Sequence, residues 1–143
     1  MAVTFHFQHP VKLPRRKMLK KLVAIIFHEE GTKFGKLDIV FCNDLYLLEI
    51  NRTYLSHDHF TDIITFDYSE TDTKIGEIYI SVETANANAS LYKVLLFNEL
   101  IRLIVHGSLH LCGYTDKTKP NKFLMTQKEN HYLAYFEKMI NPQ

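Results

Sequence analysis

The sequence predicts an α+β fold, a single compact domain in which a small mixed β-sheet is packed with helices. Three observations lead there. Runs rich in β-branched and apolar residues alternate with stretches of helical period in the order strand, helix, strand, helix, strand, strand, helix, helix. The chain has 143 residues, 46% of them hydrophobic, enough for one core and too few for two, so residues 1–143 read as one domain. No segment approaches the roughly 18 apolar residues of a membrane span, and the opening residues lack the charged and apolar regions of a signal peptide, so the expected location is the cytoplasm, away from any membrane. A formal charge of +1 means that no global basicity marks a nucleic-acid binder, and such a surface has to be local. The two cysteines, Cys42 and Cys112, fit a reducing compartment rather than a disulfide framework.

The first seven residues alternate as a short strand. From Pro14 to Glu30 the spacing of Leu19, Leu22, Val23, Ile26 and Phe27 describes an amphipathic helix, with Pro14 suited to its first turn and Gly31 to its end. Its outer face carries Lys12, Arg15, Arg16, Lys17, Lys20 and Lys21. Taken alone such a run is a solvated face; on a protein acting on RNA it would suit backbone contact. Leu37 to Cys42 forms a strand, and Asn43 or Asp44 caps a helix running to about Leu55. His57, Asp58 and His59 read as loop residues, with a competing reading as a fourth metal ligand or a proton carrier. Ile63 to Phe66 and Ile75 to Ser81 are strands joined by a polar connector. Ser81 caps a helix that begins near Val82, loosens around Asn86 to Ser90 and continues to the motif below. Phe123 to Met139 closes the chain as an amphipathic helix with Leu124, Leu133 and Phe136 inward.

The most informative stretch runs from His106 to Asp116, His-Gly-Ser-Leu-His-Leu-Cys-Gly-Tyr-Thr-Asp. Histidines four apart share one helical face, which is what a divalent ion asks of its first two ligands. Gly113 allows the helix to end in a left-handed turn, so the chain can return Asp116 as a third ligand. Glu99 and Arg102 extend the polar stripe backward, as an ordinary i, i+3 ion pair or with Glu99 orienting a histidine. The bland alternative is a pair of core histidines satisfied by hydrogen bonds. Cys112 points away from the histidine face and reads as a small buried hydrophobe. Zinc proteases of the His-Glu-x-x-His type carry their general base directly after the first histidine, where this chain has Gly107.

The stretch resembles the signature of the YbeY family of metal-dependent endoribonucleases, His-Gly-x-Leu-His-Leu-x-Gly-Tyr-Asp-His, with Thr115 and Asp116 in the last two places. A second segment, Asn51 to Phe66, is similar to the family's Asn-x-x-Tyr-Arg and Thr-Asp-Val-Leu-Ser-Phe, and Thr61 and Asp62 match it. Leu55 stands where the family has an arginine placed by the metal, so Arg52, three residues earlier on the same helical face, is the candidate substitute, the alternative being an ordinary surface arginine.

The resemblance implies a compact fold with the metal at the end of a central helix, and one divalent ion, zinc first, held by His106, His110 and Asp116. It implies a catalytic set of Arg52, His106, His110 and Asp116, and single-stranded RNA as substrate. The implied setting is maturation of the 16S ribosomal RNA 3′ end and ribosome quality control, with the small subunit and its assembly factors as partners. Lys117, Lys119 and Lys122 follow the motif and would line its mouth. One rival is a hydrolase of another bond, disfavoured by Gly107; another is a ribosome-assembly factor whose structural zinc takes a fourth ligand from Cys112, His57 or His59. An anionic third ligand leaves the site one charge less positive than three imidazoles would. Asp116→His is therefore expected to move the activity optimum to lower pH, and an unchanged pH–rate profile would count against the assignment.

Overall fold

In the computed structural model, which describes residues 2–57 and 59–142, four strands and five helices follow one another as β1 (Ala2–Phe7), α1 (Arg16–Glu29), β2 (Phe34–Cys42), α2 (Asp44–Leu55), β3 (Ile63–Asp67), β4 (Lys74–Ser81), α3 (Val82–Tyr92), α4 (Leu96–Leu111) and α5 (Lys119–Ile140). The strands form one mixed sheet in the order β1-β2-β4-β3. The β1–β2 and β2–β4 pairs are parallel, and β3 runs antiparallel to β4 along the far edge. Parallel strands need crossovers, which α1 supplies between β1 and β2. Buried between neighbours, β2 is almost continuously apolar from Leu37 onward, as a central strand covered on both faces must be. The α+β class and the four expected strands are therefore present.

Local chemistry sets most boundaries. Asn43 is the cap of α2, its side chain accepting from the Tyr46 amide at 2.8 Å. Asp44 instead accepts from the hydroxyls of Ser81 and Thr84, which ties the start of α2 to that of α3. Ser81 caps α3 as expected, accepting from the Thr84 amide. Pro14 lies before α1 rather than in its first turn, because Arg15 adopts a left-handed conformation (φ 60°) and the helix starts only at Arg16.

The single helix expected from Val82 through the motif is two helices. It remains regular across Asn86 to Ser90 and breaks at Lys93, whose left-handed φ of 58° ends α3. Leu95 is extended, and α4 leaves at 114° to α3. Among the described residues no single helix is long and apolar enough to cross a membrane.

α4 is the central helix. Leu100, Leu103, Ile104, Val105, Leu109 and Leu111 are buried in the main core with Leu37, Ile39, Ile78 and Ile80 of the sheet and Leu22, Val23 and Ile26 of α1. Two glycines let α4 lie this close. A Cβ on Gly107 would stand 2.6 Å from Ile78 Cδ1, and one on Gly76 of β4 would stand 2.9 Å from Leu111 Cδ1. Gly107 thus explains why no protease-type glutamate follows the first histidine: a side chain there would point into the sheet.

α5 covers the other side of α4 with Met125, Tyr132 and Phe136, all buried. This is a different phase from the one expected, since Leu124 is 42% exposed and Leu133 only partly buried. Where α1, α5 and the motif meet, the Glu30 carboxylate accepts from Tyr114 Oη at 2.5 Å, Tyr132 Oη at 2.5 Å and Lys128 Nζ at 3.2 Å. Burial pushes Glu30 up, but these hydrogen bonds outweigh it and hold the carboxyl below its ordinary 4.5. A depressed carboxylate contributes stability that is present above its unfolded pKa and lost as pH falls toward the folded one. The melting temperature of the wild type is expected to fall more steeply than that of Glu30→Gln on acidification from about pH 5 to about pH 3. Parallel pH profiles would refute this role for Glu30.

Candidate metal centre

α4 carries His106 and His110 at its C-terminal end, on the flank that opens toward β3. Beyond Cys112 the chain turns through Gly113 (φ 104°), with the amides of Gly113 and Tyr114 bonded back to the carbonyls of His110 and Leu109. The return brings Asp116 Oδ2 to 3.4 Å from His106 Nε2 and 3.8 Å from His110 Nε2. The two Nε2 atoms are 3.0 Å apart. The three groups expected as ligands are thus brought together, and one ligand atom from each lies within 4.8 Å of the others.

The protons on the imidazoles decide what this cluster can do. His106 Nδ1 is 2.5 Å from Glu129 Oε2 and His110 Nδ1 is 2.8 Å from the Tyr114 carbonyl oxygen. A carboxylate and a backbone carbonyl both accept, so each neutral imidazole carries its hydrogen on Nδ1 and presents a lone pair at Nε2. Two lone pairs and a carboxylate oxygen then face one another with no proton between them, an arrangement that asks for a cation. Tetrahedral coordination at the usual zinc–nitrogen length separates ligand atoms by roughly 3.3 Å, and the observed 3.0, 3.4 and 3.8 Å bracket that value. The donor set fits a divalent ion. Burial, with His106 beside it, keeps His110 below the ordinary imidazole value, which favours the neutral, ligating form.

Glu129 is the functional residue that the sequence reading missed. It is buried on α5 between Met125 and Tyr132. Its second oxygen, Oε1, accepts from Arg102 Nη1 at 3.4 Å, and Arg102 is clamped on its other side by both oxygens of Glu99, at 2.8 and 2.6 Å. Glu99 therefore does not orient a histidine itself, as one expectation had it. It holds Arg102, Arg102 holds Glu129, and Glu129 holds His106. The carboxylates raise the Arg102 guanidinium further above its usual range, so the chain stays charged.

The histidines open into a cavity of about 560 Å³ at the β3 edge, whose lining also includes Asn51 and Leu55 of α2, His57, His59, Thr61, Asp62, Thr65, Asp67 and Lys117. Asp62 is held up by burial, against the pull of Arg102, and accepts from Asn88 Nδ2 at 3.2 Å. His57 and His59 stack on each other with ring centroids 5.4 Å apart and line the cavity without joining the ligand cluster. Asp58, grouped with them in the sequence, lies outside the described residues. Arg52 is exposed on α2 and is not part of the lining; the α2 positions that face the cavity are Asn51 and Leu55. Of the three lysines after the motif, Lys117 lines the cavity and Lys119 and Lys122 do not. Cys112 is partly buried, its thiol pushed up to about 11, and stands outside the cluster as expected. Glu129→Gln keeps the shape of the side chain but weakens its hold on His106. It is expected to lower divalent-metal affinity by about 10- to 100-fold in a chelator competition, and unchanged affinity would remove Glu129 from the site.

Comparison with known proteins agrees with the motif. A family model described as endoribonuclease YbeY matches residues 6–137. The endoribonuclease YbeY of Flavobacterium psychrophilum is 40% identical over 134 residues, 94% of this chain and 96% of its own. That of Bacteroides thetaiotaomicron is 39% identical over 136 residues, 94% of this chain and 98% of its own. The solution structure of TM1509 from Thermotoga maritima superposes with a TM-score of 0.66 at 25% identity, covering 99% of this chain and 94% of that one. On this match in sequence and fold, the chain belongs to the endoribonuclease YbeY family.

Proposed function

We propose that this chain is a metal-dependent endoribonuclease acting on single-stranded RNA, with the 3′ extension of 16S ribosomal RNA as substrate and the small ribosomal subunit as its setting. The observation that carries the reading is the convergence of the His106 and His110 Nε2 atoms and the Asp116 carboxylate on one point of an open cavity. We assign the ion as zinc, held by His106, His110 and Asp116. Bound there, it supplies Lewis-acid polarisation of a phosphoryl oxygen and acidification of water.

The protein's own groups do the rest. Glu129 and the Tyr114 carbonyl keep the Nδ1 protons in place and so fix both ring orientations. Asp62, held up by burial in the cavity lining, is the carboxyl we assign to holding and returning a proton. Lys117 is the cation positioned to meet a phosphate inside the cavity. With Leu55 lining the cavity and Arg52 outside the lining, we assign Arg52 to RNA at the mouth rather than to the scissile phosphate.

A structural zinc closed by four protein ligands fits less well, since the cluster found among the described residues has three members and opens to solvent. The deciding experiment is cleavage of an end-labelled single-stranded RNA carrying a 16S 3′ extension, with metal-loaded wild type beside identically purified His110→Ala. Cleavage by the wild type with only background from the variant is the expected result. Equal cleavage by both, or none by either from folded protein, would overturn the assignment.

A further inference from the structure

Charge is distributed very unevenly along this chain. Six of its 17 cations and none of its 16 acids lie in the first 28 residues, which leaves that stretch at +6 and the remainder at −5. All six, Lys12, Arg15, Arg16, Lys17, Lys20 and Lys21, are exposed. Among the described residues none of them is ion-paired with a carboxylate, whereas lysines elsewhere in the fold are, as in Lys74–Asp67 and Lys128–Glu30.

The face is also built rather than loose. Arg16 lies over the Phe7 ring at 4.6 Å and donates to the Leu13 carbonyl at 3.1 Å, and Lys20 lies over the Phe5 ring at 5.9 Å. The two rings stack in turn on Phe41 of β2. Arg15, in its left-handed conformation, reaches back toward Met18 Sδ. Two of the cations are therefore held on an aromatic ladder at the β1 edge, with the others around them.

This face lies diagonally across the sheet from the metal centre. β1 is one edge of the sheet, and the cavity is at the other, beside β3. The first turn of α1 follows the C-terminal end of β1, while Leu111, next to His110, packs on Gly76 near the N-terminal end of β4. The cavity itself is poor in positive charge: Asp62, Asp67 and Asp116 line it against one cation, Lys117. A polyanionic substrate finds little attraction there beyond the ion.

The geometry points to the α1–β1 face as a second RNA-binding surface, which grips the phosphate backbone at a distance from the cleaved bond and without reading sequence. This rests on the reading of the substrate as RNA. The division of labour is that the basic face supplies affinity and the cavity supplies chemistry. Short RNA that fills only the cavity escapes the basic face; long RNA engages both.

The test uses the full chain and Lys12→Gln/Lys17→Gln/Lys21→Gln, three exposed side chains, with circular dichroism to verify folding. Binding of a fluorescent long single-stranded RNA is followed by anisotropy across salt concentrations, and cleavage of a short oligonucleotide is measured in parallel. The slope of log K against log salt should fall by about 2, and affinity at ~150 mM salt should drop roughly 50-fold, at about 0.7 counterions per lost contact on a single strand. Cleavage of the short oligonucleotide should be unchanged. An unchanged slope and affinity, or equal losses on long and short RNA, would overturn the proposal. So would binding of wild type to phosphatidylglycerol vesicles that the variant loses while keeping its RNA affinity, since the face would then serve a lipid surface. Because binding is read without cleavage, a protein that grips long RNA through α1 and cuts nothing would refute the nuclease assignment and leave this surface standing.

Discussion

The candidate metal site depends on how closely α4 lies against β4. The approach is possible because Gly107 and Gly76 leave no Cβ where Ile78 and Leu111 need to be. Interiors packed to crystal density do not absorb an extra methyl at such points without shifting a backbone. The same contact fixes the rotation of α4, and with it the direction of the histidine stripe: with Gly107 against the sheet, His106 and His110 lie on the neighbouring flank of the helix and open toward β3 and the returning loop. Position and orientation of the two histidines thus follow from packing on the adjacent face of the helix.

The polar chain from Glu99 through Arg102 and Glu129 to His106 is the second consequence. Three of its members are charged and two of them, Glu99 and Glu129, are buried. Buried charges persist only when each is paired and hydrogen-bonded, and here each link satisfies the next. The chain crosses from α4 to α5, so the His106 imidazole is oriented by a helix distant in sequence. The arrangement is rigid because it is mutual: removing one member leaves a buried charge uncompensated.

Much of this was legible beforehand because it is local. The i, i+4 histidines, the left-handed Gly113 and the returning Asp116 are readable within eleven consecutive residues, and so are the Ser81 cap and the strands. What was not legible is what tertiary packing decides. The α3–α4 break sits in a stretch whose composition suits a continuous helix, and only the left-handed Lys93 reveals it. Glu129 was missed because the apolar residues of α5 admit two phases. Leu124, Leu133 and Phe136 suggested one; the core selects Met125, Tyr132 and Phe136, and that phase turns Glu129 inward. A carboxylate spaced i, i+4 and i, i+3 among those residues was the available signal. The place of Arg52 outside the cavity lining depends on how α2 lies against β3, which no local pattern encodes.

The Glu30 junction bears on the order in which the molecule assembles. Its three hydrogen bonds span 84, 98 and 102 residues of sequence. Contacts of such separation close large loops and form late, after local helices and after the sheet has its register. The segment that delivers Asp116 is anchored at Tyr114 to this junction, and α5, which delivers Glu129, is anchored there through Lys128 and Tyr132. The candidate site and its supporting carboxylate are therefore held in place only when α1 and α5 have both docked. A chain lacking α5 would hold both helical histidines without the carboxylate that orients His106, so the site is finished only after α5 has docked.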